Sequence, residues 1–123
     1  MIAGVGVDLV NIRRMEKWQK VPGLPERFFD PEELSAALAR GASAASSLAA
    51  RFAAKEAFVK ALGSGFEGIA LKDIMVKNKP SGQPELILFG TAFKALENSG
   101  AKSAHISLSH ERDYAIAMVV LET

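Results

Sequence analysis

Glu56 and Lys60 stand one helical turn apart in the run Arg51-Phe52-Ala53-Ala54-Lys55-Glu56-Ala57-Phe58-Val59-Lys60-Ala61-Leu62-Gly63. A carboxylate can hold a cation or take a proton, and an ammonium can neutralise a phosphate. Taken alone the two read as an i,i+4 ion pair worth about 0.3–0.5 kcal/mol if exposed. Their neighbours argue for more. Phe52, Ala53, Ala57, Phe58 and Ala61 leave little solvated surface, and a half-buried pair flanked by Arg51 and Lys55 is costly unless something uses it. A second carboxylate, Asp8, follows an apolar run. Its position alone makes it an N-cap for the segment that follows, accepting from the backbone near Asn11. The alternative is ligation of Mg²⁺, which takes one or two protein carboxylates and substrate phosphate. Glu56 is the partner that this alternative requires.

Other chemistry-bearing residues are weaker by themselves. Gly63-Ser64-Gly65 serves as readily for a helix C-cap and turn as for a phosphate loop, and it lacks the Lys-Ser/Thr ending of a P-loop. His110 falls at a strand end. His105 alternates with Ser107 and Ser109, opposite Ile106 and Leu108. Trp18 reads as a packing residue or as an anchor for a partner. The chain holds no cysteine, which excludes thiol catalysis, disulfides and cysteine-ligated zinc. No GxSxG, HExxH or GxGxxG stands in a suitable context, which disfavours common hydrolases, zincins and dinucleotide enzymes.

The elements that must position these groups follow from periodicity and punctuation. Residues 1–7 predict a buried strand ending at Asp8, and 9–20 a helix with Ile12, Met15 and Leu9 inward and Arg13, Arg14 and Lys17 outward. Two prolines and a glycine over 21–25 predict a loop. Asp30-Pro31-Glu32-Glu33 is a helix start with an N-cap carboxylate, an N1 proline and a capping-box glutamate; Gly41 would end that helix. The central helix is expected from Ser46 or Ser47 to Leu62. Beyond the glycine-rich 63–68, strands are expected at 74–77, 86–89, 104–109 and 114–121. A turn lies at 81–84, a hairpin loop at 111–113, and a short helix at 91–98 ends before Gly100. The order predicts an α+β fold, an antiparallel β-sheet packed against helices, with 1–123 as one domain.

With 123 residues, 49% of them hydrophobic, the chain has material for a core. The net charge of +1 speaks against a long polyanion as partner. Its cations are local: Arg13, Arg14, Lys17 and Lys20 face Asp8 and Glu16, while Arg51, Lys55 and Lys60 accompany Glu56 alone. Such patches suit one acidic ligand or partner. No apolar run approaches membrane-spanning length and no leader pattern precedes the first strand, so a soluble cytoplasmic protein is expected.

Gly6-Val7-Asp8 with Arg14, the run 51–63, and Ser107-Leu108-Ser109-His110 together resemble the holo-[acyl-carrier-protein] synthases of the 4′-phosphopantetheinyl transferase superfamily. The signatures G-x-D-x₅-R and F-x-x-K-E-A-x-x-K-x-x-G are specific in combination, and their order and the chain length fit the short, trimeric bacterial type from end to end. The resemblance implies transfer of 4′-phosphopantetheine from coenzyme A to a serine of apo acyl carrier protein, releasing adenosine 3′,5′-bisphosphate and serving fatty acid biosynthesis. Carried over by position, Asp8 and Glu56 become Mg²⁺ ligands and, with Lys60 on the pyrophosphate, the catalytic set. Arg51, Lys60, Gly63, Ser64, Gly65 and His110 become coenzyme contacts. The serine's base stays open among Glu56, Asp8 and a metal-bound water. The basic first helix would dock the acidic carrier protein through Arg14, with Arg13, Lys17 and Trp18 beside it. A homotrimer with sites between subunits is implied, with no nucleic acid or membrane as partner. One departure concerns the stretch 41–47, commonly basic in relatives and uncharged here, with Arg40 nearby; backbone N–H groups and serines could hold the coenzyme's 3′-phosphate instead.

Two other classes compete. A non-catalytic module could use the same basic helices to hold an acidic protein or a nucleotide, and would do so without Mg²⁺. An RNA-binding α+β domain is disfavoured by the near-neutral charge and by strands poor in aromatics.

Overall fold

The computed structural model describes residues 1–65 and 68–123; Phe66 and Glu67 of the turn expected over 63–68 lie outside the described residues. Strand β1 (Ile2–Asn11) leads into helices α1 (Ile12–Gln19), α2 (Leu24–Phe28), α3 (Pro31–Leu38) and the long α4 (Ala44–Leu62). Strands β2 (Ile74–Asn78) and β3 (Pro84–Leu88), helix α5 (Gly90–Ser99) and strands β4 (Ser103–Glu111) and β5 (Tyr114–Glu122) complete the order. The result is α+β with antiparallel pairing throughout, as expected. The strands form two sheets rather than one, β1-β5-β4 and the ribbon β2-β3.

The first strand is longer than its sequence indicates. Pairing with β5 continues from Ile2↔Glu122 to Asn11↔Tyr114, so the sheet ladder carries the extended conformation past Asp8. Asp8 is therefore no helix cap. Asn11 takes that place, its side chain accepting from the Arg13 N–H at 2.9 Å. Ile12 and Met15 are buried as predicted, but Leu9, still in the strand, turns outward.

Strand alternation explains this. Gly4, Gly6, Asp8 and Val10 share the face toward α4, while Val5, Val7 and Leu9 take the other. A Cβ on Gly6 would lie 1.9 Å from the Ala57 carbonyl oxygen, and one on Gly4 2.1 Å from that of Ala61. Glycine at both positions lets β1 lie directly on the helix backbone. Helix α4 is enclosed on nearly every side: Leu48, Ala53, Ala54, Ala57 and Phe58 are fully buried, and Ala115, Ala117, Val119 and Leu121 of β5 cover it.

The remaining boundaries differ modestly. Pro25 enters α2 in its first turn, where the missing N–H costs nothing, so the expected loop is partly helical. Asp30 caps α3 through the Glu32 N–H at 2.8 Å, but the helix stops at Leu38, and Gly41–Ser43 forms a 3₁₀ turn leading into α4 earlier than Ser46. Gly63 ends α4 at φ +77 and Gly100 ends α5 at φ +84, both in the left-handed region as glycine permits. No helix among the described residues is long and apolar enough to cross a membrane.

Candidate active site

Because β1 lies so close to α4, the Asp8 side chain meets the helix face carrying Glu56 and Lys60. The Lys60 ammonium donates to Asp8 Oδ1 at 2.8 Å and to the Val7 carbonyl at 3.1 Å. This overturns the expected Glu56–Lys60 ion pair: among the described residues Lys60 pairs with Asp8. The hydrogen bond to Asp8 raises the Lys60 pKa. Asp8 Oδ2 is buried and meets no N–H or hydroxyl donor among the described residues, which leaves the Glu56 carboxyl as its neighbour. Burial, then the hydrogen bond and the negative charge of Asp8, push Glu56 up to about 7, with Arg14 and Lys60 pulling the other way. Two carboxylates held together with only Lys60, among the described residues, bonded to the pair leave an excess of negative charge that a divalent cation would fill.

Among the described residues no three acidic or histidine side chains come together so as to hold a metal, so a cation here would need oxygens from elsewhere, which substrate phosphates supply. Asp8 and Glu56 fit Mg²⁺ in donor chemistry: hard oxygens, few in number, beside a lysine suited to phosphate.

Arg51 and His110 lie elsewhere. With 100° per residue, Arg51 stands about 140° around α4 from Glu56 and about 180° from Lys60. It faces a cleft of about 210 Å³ lined with Arg40, Ser43, Ser46, Ser47 and His110. The Arg51 guanidinium is nearly buried, donating from Nε to Ser47 Oγ at 3.0 Å, from Nη1 to the Val76 carbonyl at 2.6 Å and from Nη2 to Asn78 Oδ1 at 3.3 Å. Desolvation lowers its pKa, opposed by Glu33. The start of α4 has no side-chain cap, and its Ala44 N–H is taken by the Gly41 carbonyl of the preceding 3₁₀ turn. Gly63, Ser64 and Gly65 are exposed at the opposite end of the helix.

On α1, Arg13 and Lys17 are exposed. The Arg14 guanidinium sits 5.0 Å from the ring centres of both Trp18 and Phe52. Trp18 is half-buried, stacked on Phe28 and edge-on to Phe52, each at 5.0 Å. Its packing role is plain; it also holds Arg14 in place.

Sequence reasoning missed Glu33 and Asn78. Glu33 reads as a capping-box residue, yet its carboxylate turns inward, accepting from Lys55 at 2.7 Å and from the Val76 N–H at 2.8 Å. Lys55, placed in the sequence among cations available to a ligand, is fully buried on Glu33. No local pattern marks this pairing across 22 residues.

A strand glycine that admits a helix, a carboxylate pair on that contact and a basic cleft across the helix are what this α+β fold brings together. The family model for the 4′-phosphopantetheinyl transferase superfamily matches residues 4–119. The holo-[acyl-carrier-protein] synthase of Treponema denticola is 54% identical over 122 residues, 99% of each chain. The crystal structure of the Neisseria meningitidis holo-[acyl-carrier-protein] synthase superposes with a TM-score of 0.90 at 35% identity, all of both chains being covered. The Helicobacter pylori synthase, solved in complex with coenzyme A, gives 0.82 at 33% identity over 96% of this chain and 99% of its own. The chain belongs to the 4′-phosphopantetheinyl transferase superfamily, and this full-length kinship places it with the holo-[acyl-carrier-protein] synthases.

Proposed function

We propose that the protein transfers 4′-phosphopantetheine from coenzyme A to a serine hydroxyl of apo acyl carrier protein, in a Mg²⁺-dependent reaction of the cytoplasm that serves fatty acid biosynthesis. The observation that carries this reading is the buried Asp8 carboxylate, its Oδ2 met by no N–H or hydroxyl donor among the described residues, set against a Glu56 raised to about 7. Mg²⁺ held by Asp8 and Glu56 would neutralise the coenzyme's pyrophosphate and orient it. The serine oxygen bonds to the phosphorus bearing the pantetheine arm, the bridging P–O bond breaks, and adenosine 3′,5′-bisphosphate leaves with the electron pair; the hydroxyl proton passes to a base. Lys60, with 56% of its side chain exposed, can swing from Asp8 to the pyrophosphate and offset charge developing on the leaving oxygen.

The cleft around Arg51 suits the coenzyme's 3′-phosphate. Arg40 and Arg51 supply charge, His110 a ring donor, and Ser43, Ser46 and Ser47 hydroxyls, which together replace the basic residues lacking over 41–47. Gly63, Ser64 and Gly65 remain proposed contacts for the coenzyme at the far end of α4. Because the metal pair and this cleft lie on opposite sides of α4, a coenzyme joining both needs the two from different copies. The outer face of the three-stranded sheet offers the surface. Val7 stands opposite Met118 and Leu9 opposite Ile116, all of them exposed, the apolar patch expected where copies of a homotrimer meet. Arg13, Arg14 and Lys17, with Trp18 bracing Arg14, form the basic face for the acidic carrier protein.

Mass spectrometry of apo acyl carrier protein incubated with coenzyme A, Mg²⁺ and this protein tests the reading. A mass gain of one phosphopantetheine group is expected; no gain, with coenzyme A intact, would leave only a binding module.

A further inference from the structure

The two-stranded ribbon has a free edge along β2, whose partner β3 covers the other side. Backbone groups on such an edge need partners when buried. Here three charged side chains supply them: Lys55 Nζ donates to the Ile74 carbonyl, Glu33 Oε2 accepts from the Val76 N–H at 2.8 Å, and Arg51 Nη1 donates to the Val76 carbonyl at 2.6 Å. Glu33 and Arg51 therefore grip the same residue of β2, one by its N–H and the other by its carbonyl. Their charged ends are also 3.9 Å apart, and the other Glu33 oxygen is fixed by Lys55 at 2.7 Å.

Glu33 and Lys55 have no exposed side-chain surface, and Arg51 alone of the three opens to the cleft. One carboxylate and two cations leave a single positive charge, presented at the cleft wall by a guanidinium whose orientation is set from behind. A buried ion pair is weak evidence for stability, since apolar residues of similar volume often serve as well or better. Its geometry here has a more specific consequence.

We propose that Glu33 is a positioning residue for anion binding: by fixing Val76 and Lys55 it holds the Arg51 guanidinium in the orientation that receives the coenzyme's 3′-phosphate. The inference rests on the reading of that cleft given above. Glu33→Gln removes the charge. Glu33→Met with Lys55→Met removes the pair while keeping volume, which guards against a variant that merely unfolds.

Calorimetric titration of the full-length protein with coenzyme A and with dephospho-coenzyme A, which lacks only the 3′-phosphate, separates positioning from bulk destabilisation. Wild type is expected to prefer coenzyme A, and each variant to lose about tenfold of that preference, the loss of a charge-assisted contact. The loss should enter kcat/KM through the KM for coenzyme A, with kcat at saturation retained. Arg51→Lys should lower the preference in wild type and lower it no further in the Met/Met variant. A cooperatively folded variant with undiminished preference overturns the inference, as does an equal loss for both coenzymes. A wild type that does not discriminate them removes instead the reading of the cleft on which the inference rests.

Discussion

Asp8 is placed so that its charge makes that of Glu56 harder to sustain, which is a poor arrangement for stability and a good one for a cation. Glu56→Gln or Asp8→Asn should lower turnover at least about a hundredfold with the circular dichroism spectrum unchanged, because each removes one hard oxygen donor. Wild-type rates at limiting Mg²⁺ would refute the metal assignment. Lys60→Ala should cost about a hundredfold in kcat, and the fold should not notice, since the side chain is over half exposed. The raised Glu56 pKa gives a pH dependence of definite sign. Mg²⁺ must displace the Glu56 proton, so below about 7 the Mg²⁺ concentration needed for half-maximal rate should climb by up to about tenfold per pH unit, and above 7 it should level off. Stability runs the opposite way. A carboxyl whose pKa rises on folding, here from its usual 4.5 to about 7, stabilises the metal-free protein fully below 4.5 and loses that contribution as pH rises through 7. The melting temperature of metal-free wild type, compared with Glu56→Gln, should therefore fall between about pH 4.5 and pH 7 and level off above, and a flat difference across that window would contradict the pairing.

At the scale of elements, the contact between β1 and α4 decides whether the site exists. Gly6→Ala would set a methyl group 1.9 Å from the Ala57 carbonyl oxygen, a backbone atom that cannot rotate away. The expected cost is about 3 kcal/mol, or a melting temperature lower by about 10 °C. Even the folded fraction should be slow, because the strand must lift and carry Asp8 from Glu56. Gly63→Ala, strained in φ but facing open space, should cost only about 1–2 kcal/mol. A Gly6→Ala protein with wild-type stability would mean that the strand does not pack this closely.

On the scale of the whole molecule, the two halves of the proposed site look away from each other across one helix. Activity should therefore depend on association. Met118→Glu, in the exposed pair with Val7, should bring the mass measured by light scattering down to that of one chain and abolish transfer, while leaving the fold of each chain intact. Mixing that variant with Glu56→Gln should not restore activity, since neither can build a shared site. A fully active monomer would overturn the division of the site between copies.

Much was legible in the sequence because it is written locally. The N-cap at Asp30, the ends of helices at Gly63 and Gly100, the strand alternation and the charged motif of α4 depend on residues within a few positions of one another. The resemblance carried by Gly6-Val7-Asp8 and 51–63 was confirmed by the family match. What local order could not supply is parity and pairing. Asp8 is a carboxylate facing α4 rather than a cap only because β5 extends β1 to Asn11. Lys60 turns to Asp8 rather than to Glu56, and Lys55 disappears onto Glu33, because residues 52 and 22 positions apart meet in space. The sequence by itself determined which residues could handle phosphate and a metal. Only the tertiary structure decided which of them share a face, because hydrogen-bonded register and close backbone contact, not residue type, set where each charge points.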